Sequence, residues 1–257
     1  MTSVLASFRP EIVAGGLLRD DAEVHFYTRL NALLLPEMTV LDYGAGRGVA
    51  FLDGGSSFLQ RLIKLQGKVR RVIGVDIDDS IFEHPFLDER YIVEENAGLP
   101  LGDETVDLIT AHWVFEHIRD PDRLADEFYR ILRPGGWICA LTPHRWGYVG
   151  LAACIVPNKA HKAVFRTLDH SYNQNNEKDR FDTFYRMNSR SKLKKYFCKT
   201  KWLNYSYARN STPRYCYENR AGFALICGYQ AISWPGTDLV VLLQKKHLTW
   251  ALERRAR

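Results

Sequence analysis

The stretch Val40-Leu41-Asp42-Tyr43-Gly44-Ala45-Gly46-Arg47-Gly48 decides the fold of this chain of 257 residues. The apolar residues before Asp42 indicate the end of a buried parallel strand. Glycines at positions 44, 46 and 48 predict a sharp turn whose backbone N–H groups can contact a ligand directly. Asp42 lies where the strand ends, and open α/β sheets bind their ligands at that edge. The stretch therefore predicts a ligand-binding turn in an α/β sheet.

Two common glycine-rich turns are disfavoured by the residues that follow. A phosphate-binding P-loop continues with Lys and then Ser or Thr after its last glycine, whereas Gly48 is followed by Val49 and Ala50. A dinucleotide-binding turn has an acid about 20 residues further on. Here the acid that ends the next strand, Asp76, follows Gly44 by 32 positions, which is late for a nicotinamide-binding fold.

Further short motifs follow the glycine turn along the chain. They are residues 96–101 (NAGLPL), 105–109 (TVDLI), 112–117 (HWVFEH) and 130–136 (RILRPGG). With D-x-G-x-G-x-G and Asp76, this series resembles the class I S-adenosylmethionine-dependent methyltransferases over roughly residues 39–142. The family often has Asp where this chain has Asn96, and an amide carbonyl can still accept a hydrogen bond from the adenine amino group.

The resemblance implies an α/β fold with a doubly wound, mostly parallel seven-stranded sheet, helices on both faces and an insertion after the fifth strand. It also implies that the last strand runs antiparallel between its neighbours. The alternation of strands and helices predicts the same parallel, right-handed winding. We expect one methyltransferase domain over residues 1–257. Its parts are an N-terminal helical segment (1–36), a cofactor-binding core (39–142), a substrate or lid insertion (143–188) and the C-terminal part of the sheet (189–257).

Local patterns predict individual elements. An acid before Pro121 predicts a helix start there, and Pro134-Gly135-Gly136 predicts its end. The other predicted helices cover about 21–35, 49–65 with a break at Gly54-Gly55, 189–197 and 214–230. The predicted later strands cover 137–142, 201–207 and 239–243.

Composition predicts a cytoplasmic location. No stretch of about 18 apolar residues occurs, so the sequence predicts no membrane-spanning helix. The polar residues Arg9 and Glu11 stand where a signal peptide would have its apolar core. The five cysteines are odd in number and no pair has zinc-ligand spacing, which favours reduced thiols and predicts no metal site.

Charge divides the chain into an acidic and a basic part. Residues 1–150 hold 15 Lys or Arg and 23 Asp or Glu, a net charge of −8, whereas residues 151–257 hold 20 and 7, a net charge of +13. One interpretation of the basic part is a solvated surface. The other is an anionic partner: a phosphorylated or nucleotide-linked substrate, a lipid headgroup surface or nucleic acid.

The resemblance implies a set of cofactor-binding residues. Asp42 would meet the ammonium group of S-adenosylmethionine and Asp76 would accept hydrogen bonds from both ribose hydroxyls. Ile77 would pack on the adenine, and His112 with Trp113 would lie beside the reacting methyl group. The complete predicted set is Asp42, Gly44, Gly46, Gly48, Asp76, Ile77, Asn96, Ala97, His112 and Trp113.

Methyl transfer from the sulfonium is an S_N2 reaction in which alignment supplies much of the catalysis. An oxygen nucleophile gains from a general base, and histidine is the usual choice. Our candidates are His112, His117 and His144, of which His117 also suits a structural role. His161 and His170 of the insertion are further histidines of this kind.

The insertion carries the substrate hypothesis. Residues 146–157 contain no charge, and Lys159, His161, Lys162 and Arg166 follow at once. This pattern suits either a lid helix over the active site or an amphipathic element at 146–166 that contacts a membrane surface. Trp146, Tyr185 and Arg186 are the predicted substrate-binding residues. The insertion is similar to those of bacterial methyltransferases of polysaccharide and glycolipid synthesis.

These observations predict an S-adenosylmethionine-dependent methyltransferase that methylates oxygen of a small, glycan or lipid-linked acceptor. Two alternatives remain: an RNA or other nucleic-acid methyltransferase, and a non-catalytic cofactor-binding scaffold. We do not expect a nucleic-acid partner, because the sequence has no N/D-P-P-Y/F motif and no appended RNA-binding module. A cytoplasmic protein with peripheral membrane contact through 146–166 fits best.

Overall fold

The computed structural model describes residues 4–48, 51, 56–94, 98–155, 181–213, 220–232 and 236–247, with the backbone alone for 152–155. Eight strands are described: β1 (Thr39–Tyr43), β2 (Arg71–Asp76), β3 (Glu89–Ile92), β4 (Val106–His112), β5 (Leu132–Pro143), β6 (Trp202–Asn204), β7 (Tyr207–Arg209) and β8 (Asp238–Lys245). The helices are α1 (Val4–Phe8), α2 (Ala22–Asn31), α3 (Ser57–Ile63), α4 (Pro121–Ile131), α5 (Tyr148–Ile155), α6 (Arg190–Tyr196) and α7 (Arg220–Ile232), with short 3-10 helices at Pro10–Val13, Asp79–Glu83 and Phe115–His117.

The strands form one sheet in the order β3-β2-β1-β4-β5-β8-β6, and β7 also pairs with β8. Strands β1 to β5 are parallel, and β8 runs antiparallel between β5 and the edge. The order reverses between β1 and β4, where open α/β sheets bind ligands. The predicted doubly wound, mostly parallel fold and the antiparallel last strand are confirmed.

The outer edge of the sheet differs in detail from the prediction of one strand at 201–207. Two short strands, β6 and β7, share a single register against β8 and together fill the seventh position. The break falls at Ser206, whose N–H donates to Asn204 Oδ1 at 2.9 Å and whose hydroxyl accepts from Leu242 N at 3.1 Å. The backbone bond from Tyr205 N to Leu242 O at 2.9 Å remains beside these side-chain hydrogen bonds, so the ladder is replaced in part at this point.

Apolar side chains alternate along the inner strands and build a core on each face of the sheet. Leu41 and Ile109 point to the face that α4 and α6 cover, whereas Val40 and Leu108 point to the face that α2 and α3 cover. All four side chains are fully buried. Strands that are buried on both faces need such continuous apolar runs.

Two helix ends differ from prediction. Helix α2 begins as expected at its cap, Asp21, but ends at Asn31 rather than near 35, because the Asn31 amide donates to the carbonyls of Tyr27 and Leu62 at 2.7 and 2.9 Å. Helix α4 starts at the predicted cap, yet β5 already begins at Leu132, ahead of the Pro-Gly-Gly motif. Leu132 pairs with Val106, so strand pairing overrides the predicted breaker.

The remaining elements lie close to their predicted positions. Helix α6 is capped by Ser189, whose hydroxyl accepts from Lys192 N. Predictions on residues 49–50, 52–55, 95–97, 156–180, 214–219, 233–235 and 248–257 lie outside the described residues. Within the described part of the chain, every helix is too short or too polar to cross a bilayer.

Candidate cofactor and acceptor site

A cavity of about 850 Å³ opens at the carboxyl ends of β1, β2 and β4. Its wall includes Asp42, the glycine turn from Gly44 to Gly48, Asp76, Ile77, His112 and Trp113. The structure thus brings together eight of the ten predicted cofactor residues. The other two, Asn96 and Ala97, lie outside the described residues.

The glycine turn is held against β2. Gly44 and Gly48 have φ values of +71° and +73°, a region that favours glycine. Added Cβ atoms there would lie 2.5 Å from the Val114 side chain and 2.8 Å from the His84 ring. Gly44 N donates to Val75 O at 2.8 Å and Gly46 N to Asp76 at 2.8 Å, so these two N–H groups are engaged within the protein rather than free for a ligand.

Asp76 is held in place by the backbone around it. Its side-chain Oδ2 accepts from Gly46 N at 2.8 Å, and Oδ1 accepts from Asp78 N at 3.0 Å. Burial raises the pKa of this carboxyl group, while its backbone hydrogen bonds oppose the rise. Each carboxylate oxygen has a second lone pair, so the anchored group can still accept hydrogen bonds from a ligand.

Asp42 and Thr110 are neighbours on β1 and β4 and both line the cavity. Burial, with the nearby charge of Asp76, raises the pKa of Asp42 to about 7. The hydroxyl of Thr110 is buried, and no described residue is its hydrogen-bond partner. A buried polar atom and a half-buried carboxyl group with a raised pKa together fit a polar, positively charged ligand.

Helix α2 supplies further polar side chains to the cavity wall, and the sequence did not predict them. Glu23 Oε1 lies 3.6 Å from His112 Nε2, and the Tyr27 and His112 rings meet edge-on at 5.5 Å between centroids. Phe26 stacks on the same imidazole at 6.1 Å. Burial and the charges of Asp42 and Glu23 hold the pKa of Tyr27 well above its ordinary value. The i, i+4 spacing of Glu23 and Tyr27 puts both on one face of a helix that directly precedes β1, and this was the available signal.

The backbone after β4 is strained. Trp113 has a φ of +57°, which is unusual for an aromatic residue, and its N–H donates to Leu141 O at 2.8 Å. Such conformations cost about 1–3 kcal/mol and cluster at functional sites. The turn directs His112 and Trp113 to the cavity wall, with their rings 5.5 Å apart.

Segment 181–184 supplies part of the cavity wall, whereas the predicted substrate residues Trp146, Tyr185 and Arg186 are not on that wall. Phe181, Asp182 and Phe184 line the wall, and Phe184 N donates to Glu116 O at 2.7 Å. His117 also lines the wall, with Nδ1 at 2.9 Å from Asp182 O. This contact fits the structural role considered for His117.

Four predicted site residues lie away from the cavity wall. His144 is buried and its Nδ1 accepts from Trp146 N at 3.3 Å; burial lowers its pKa. The Trp146 side chain is exposed, whereas Tyr185 is buried. Arg186 donates to Arg119 O at 2.5 Å. The structure therefore does not bring these four residues together with the predicted cofactor residues.

The described residues contain no group of three or more His, Cys, Asp or Glu side chains that could hold a metal ion.

Comparison with known proteins finds a methyltransferase domain in this chain. A family profile described as "Methyltransferase domain" matches residues 52–140. A Mycolicibacterium smegmatis protein named as an S-adenosylmethionine-dependent methyltransferase is 37% identical over 106 residues, 39% of this chain and 40% of that protein. An uncharacterised methyltransferase of Mycobacteroides abscessus is 33% identical over 147 residues, 52% of this chain and 54% of that protein. The chain thus spans about half the length, or less, of the relatives it matches.

Solved structures share the fold. A chain of the Haloferax volcanii complex between the Trm112 methyltransferase activator and a methyltransferase superposes with a TM-score of 0.55 at 17% identity, over 89% of this chain and 92% of that one. The strand order, the cavity at the carboxyl ends of the strands and the matched domain agree with one another. The chain thus matches the methyltransferase domain over residues 52–140, shares the fold of a solved methyltransferase complex chain and resembles an S-adenosylmethionine-dependent methyltransferase over 39% of its length.

Proposed function

We propose that the chain transfers the methyl group of S-adenosylmethionine to an oxygen atom of a small, glycan or lipid-linked acceptor. The observation that carries this proposal is the contact between Glu23 and His112 on the wall of the cofactor cavity. A carboxylate beside an imidazole is the arrangement of an oriented general base, which an oxygen nucleophile needs.

S-adenosylmethionine supplies the methyl group as an activated sulfonium. Asp76, anchored by two backbone N–H groups, would accept hydrogen bonds from the ribose. Asp42 and the Thr110 hydroxyl would receive the ammonium group, which would satisfy the buried oxygen of Thr110 and favour the ionised form of Asp42. The cofactor would lie along Gly44, Gly46, Gly48 and Ile77. The roles of Asn96 and Ala97 stay predictions from the sequence alone.

His112 would accept the proton of the acceptor hydroxyl while the oxygen forms its bond to the methyl carbon. The carbon–sulfur bond breaks and its electron pair stays on the sulfur of the demethylated product. Glu23 would stabilise the imidazolium that results, and Phe26 and Tyr27 fix the orientation of the ring. His144 is not the base in this proposal, because it is not on the cavity wall. Trp113 would pack beside the methyl group.

Acceptor specificity would depend on the mouth of the cavity. Phe181 and Phe184 offer apolar surface there, and Arg119, whose guanidinium lies 5.0 Å from the Phe184 ring centroid, offers positive charge. These residues suit an acceptor with an apolar body and an anionic group, as in a phosphorylated glycolipid. In this proposal the protein is cytoplasmic, and residues 146–166 contact a membrane peripherally.

The test is the formation of demethylated cofactor with a panel of acceptors that carry hydroxyl, amine or activated carbon positions, in soluble and lipid-linked form. Mass spectrometry of the products locates the methyl group. We expect transfer to oxygen, and we expect His112→Asn to abolish most of it while His144→Asn retains it. Methylation at nitrogen or carbon, or equal activity of both variants, would contradict the assignment of oxygen and of the base.

A further inference from the structure

Helix α7 exposes an apolar face. Its exposed residues Ala221, Ala224, Leu225, Gly228, Ala231 and Ile232 fall within one stripe of about 120° on a helix of 3.6 residues per turn. Leu225 and Ile232 are 77% and 84% exposed, whereas Phe223 on the opposite side is fully buried. Surface helices normally place charged and polar residues on this side, whereas α7 is apolar on its exposed side as well.

Charge is also scarce in the helix beside it. Helix α5 contains no charged residue, and Arg220 is the sole charged residue in the 13 residues of α7. The Tyr229 hydroxyl donates to Trp146 O at 2.7 Å, which ties α7 to the segment that leads into α5. The Trp146 side chain, 54% exposed, extends the apolar surface. We name α7 with Trp146 the α7 face.

Arginines stand beside aromatic rings at both ends of this face. At one end the Arg145 guanidinium lies 5.9 Å from the Trp146 ring centroid. At the other end Arg220 lies 5.7 Å from the Phe8 ring, and Phe8 packs on Phe223 at 5.0 Å. Aromatic rings and arginines of this kind occupy the boundary between lipid and water, where the ring contacts acyl chains and the cation meets phosphate.

The α7 face lies at the carboxyl edge of the sheet. Residues 236–238 follow α7, and Asp238 pairs with Pro143 at the carboxyl end of β5. Thr237 O accepts from His144 N at 2.8 Å. The cavity opens at the same edge, from the ends of β1, β2 and β4. A surface bound to this face would therefore lie on the side of the sheet where acceptors enter.

We propose that the α7 face docks on the headgroup region of a membrane that contains anionic lipids. Leu225, Ile232 and Trp146 enter the boundary of the acyl chains, and Arg145 and Arg220 bind headgroup phosphates. The net charge of +13 on residues 151–257 gives the long-range attraction that such a surface needs. This membrane contact rests on the proposed function in the form in which the methyl acceptor is lipid-linked.

The test is co-sedimentation of the full chain with vesicles of phosphatidylglycerol and phosphatidylcholine, against vesicles of phosphatidylcholine alone, without cofactor or acceptor. We expect binding to the anionic vesicles that falls at high salt. Leu225→Glu with Ile232→Glu should reduce the partition coefficient at least tenfold. Phe82→Glu changes a residue that is 63% exposed on a distant 3-10 helix and should leave the partition coefficient unchanged.

Calorimetry with S-adenosylmethionine checks that each variant is folded, and sedimentation velocity reports its oligomeric state. Equal vesicle binding by the double variant and the Phe82 variant would overturn the proposal. So would a wild-type dimer that the double variant dissociates, because a second copy would then occupy the face. Vesicle binding does not depend on catalysis, so loss of methyl transfer with intact binding would count against the proposed function alone.

Discussion

Asp42 should make cofactor binding depend on pH near neutrality. Burial and the charge of Asp76 raise its pKa from 3.8 to about 7. In our proposal the ionised form holds the ammonium group of S-adenosylmethionine. With a pKa of about 7 the group is about 90% ionised at pH 8, half ionised at pH 7 and about 9% ionised at pH 6, so the affinity should fall about twofold from pH 8 to pH 7 and about fivefold from pH 7 to pH 6.

The substitution Asp42→Asn keeps the shape of the side chain and removes the charge. A charged hydrogen bond is worth about 1.5–3 kcal/mol, so the dissociation constant at pH 8 should rise about 10- to 150-fold. The variant should also lose the pH dependence between 6 and 8. Isothermal titration calorimetry at pH 6, 7 and 8 measures both effects, and Glu94→Gln, an exposed acid on the same cavity wall, is the matched control.

Asp42→Asn, which weakens cofactor binding, should raise the free energy of unfolding of the cofactor-free protein. Between pH 3.8 and about 7 the folded protein keeps a proton on Asp42 that the unfolded chain has released. This group's contribution to the free energy of unfolding therefore falls as the pH rises through that range, by at most about 4 kcal/mol for a fully shielded group. Asp42 is half-buried, so we expect Asp42→Asn to stabilise the protein at pH 8 by about 1–3 kcal/mol.

Urea unfolding at pH 5 and pH 8 measures this effect, and the gain should be larger at pH 8. The reasoning is refuted if Asp42→Asn binds the cofactor as the wild type does, or if it unfolds more easily at pH 8. If Asp42→Asn gains stability but keeps its affinity for the cofactor, the unfavourable buried charge of Asp42 is confirmed, and its contact with the ammonium group is contradicted.

Four further predictions concern the rest of the site and the stability of the fold. Asp76→Asn should weaken S-adenosylmethionine binding about 10- to 100-fold in calorimetry, because a carboxylate accepts stronger hydrogen bonds than an amide does; an unchanged dissociation constant would place the ribose elsewhere. His112→Asn should lower kcat for oxygen methylation about 10²- to 10⁴-fold while changing the cofactor dissociation constant less than threefold, and a parallel loss of both would indicate a purely structural role. Gly48→Ala should destabilise the fold by about 1–3 kcal/mol, because its φ is +73° and a Cβ would lie 2.8 Å from the His84 ring. Gly228→Ala, in an exposed helix with nothing within 4 Å, should stabilise the fold by about 0.5–1 kcal/mol in the same urea titration.

The cofactor end of the site could be predicted from the sequence because local rules determine it. The glycine turn and Asp76 each follow a buried strand, and parallel strands bring their carboxyl ends to one edge. The hydrogen bond from Gly46 N to Asp76, across 30 positions of the chain, is a direct result of that topology. Helix α4 likewise begins where its acidic cap predicts, because capping depends on neighbouring residues.

The acceptor end could not be predicted in the same way. His144 follows β5 at the correct edge of the sheet, yet its backbone N–H donates to Thr237, and the side chain is buried away from the cavity. Glu23 and Tyr27 reach the cavity because α2 packs against β1 and β4 over Phe26, and this contact depends on tertiary packing. The wall at 181–184 is fixed by hydrogen bonds to Glu116 O, far away in the sequence.

Acidic side chains converge on the cavity from three elements, and this arrangement links cofactor binding to stability. Ionised Asp42 raises the free energy of the folded protein, since its burial and the charge of Asp76 both raise the cost of its own charge. Glu23 adds a third negative group beside Tyr27. A cation in the cavity relieves this repulsion only in the folded protein, so S-adenosylmethionine should stabilise the fold more strongly than its neutral-sulfur product does at equal free concentration. The same electrostatic difference favours release of the product after transfer, because the sulfur that leaves no longer carries the charge that the acids attract.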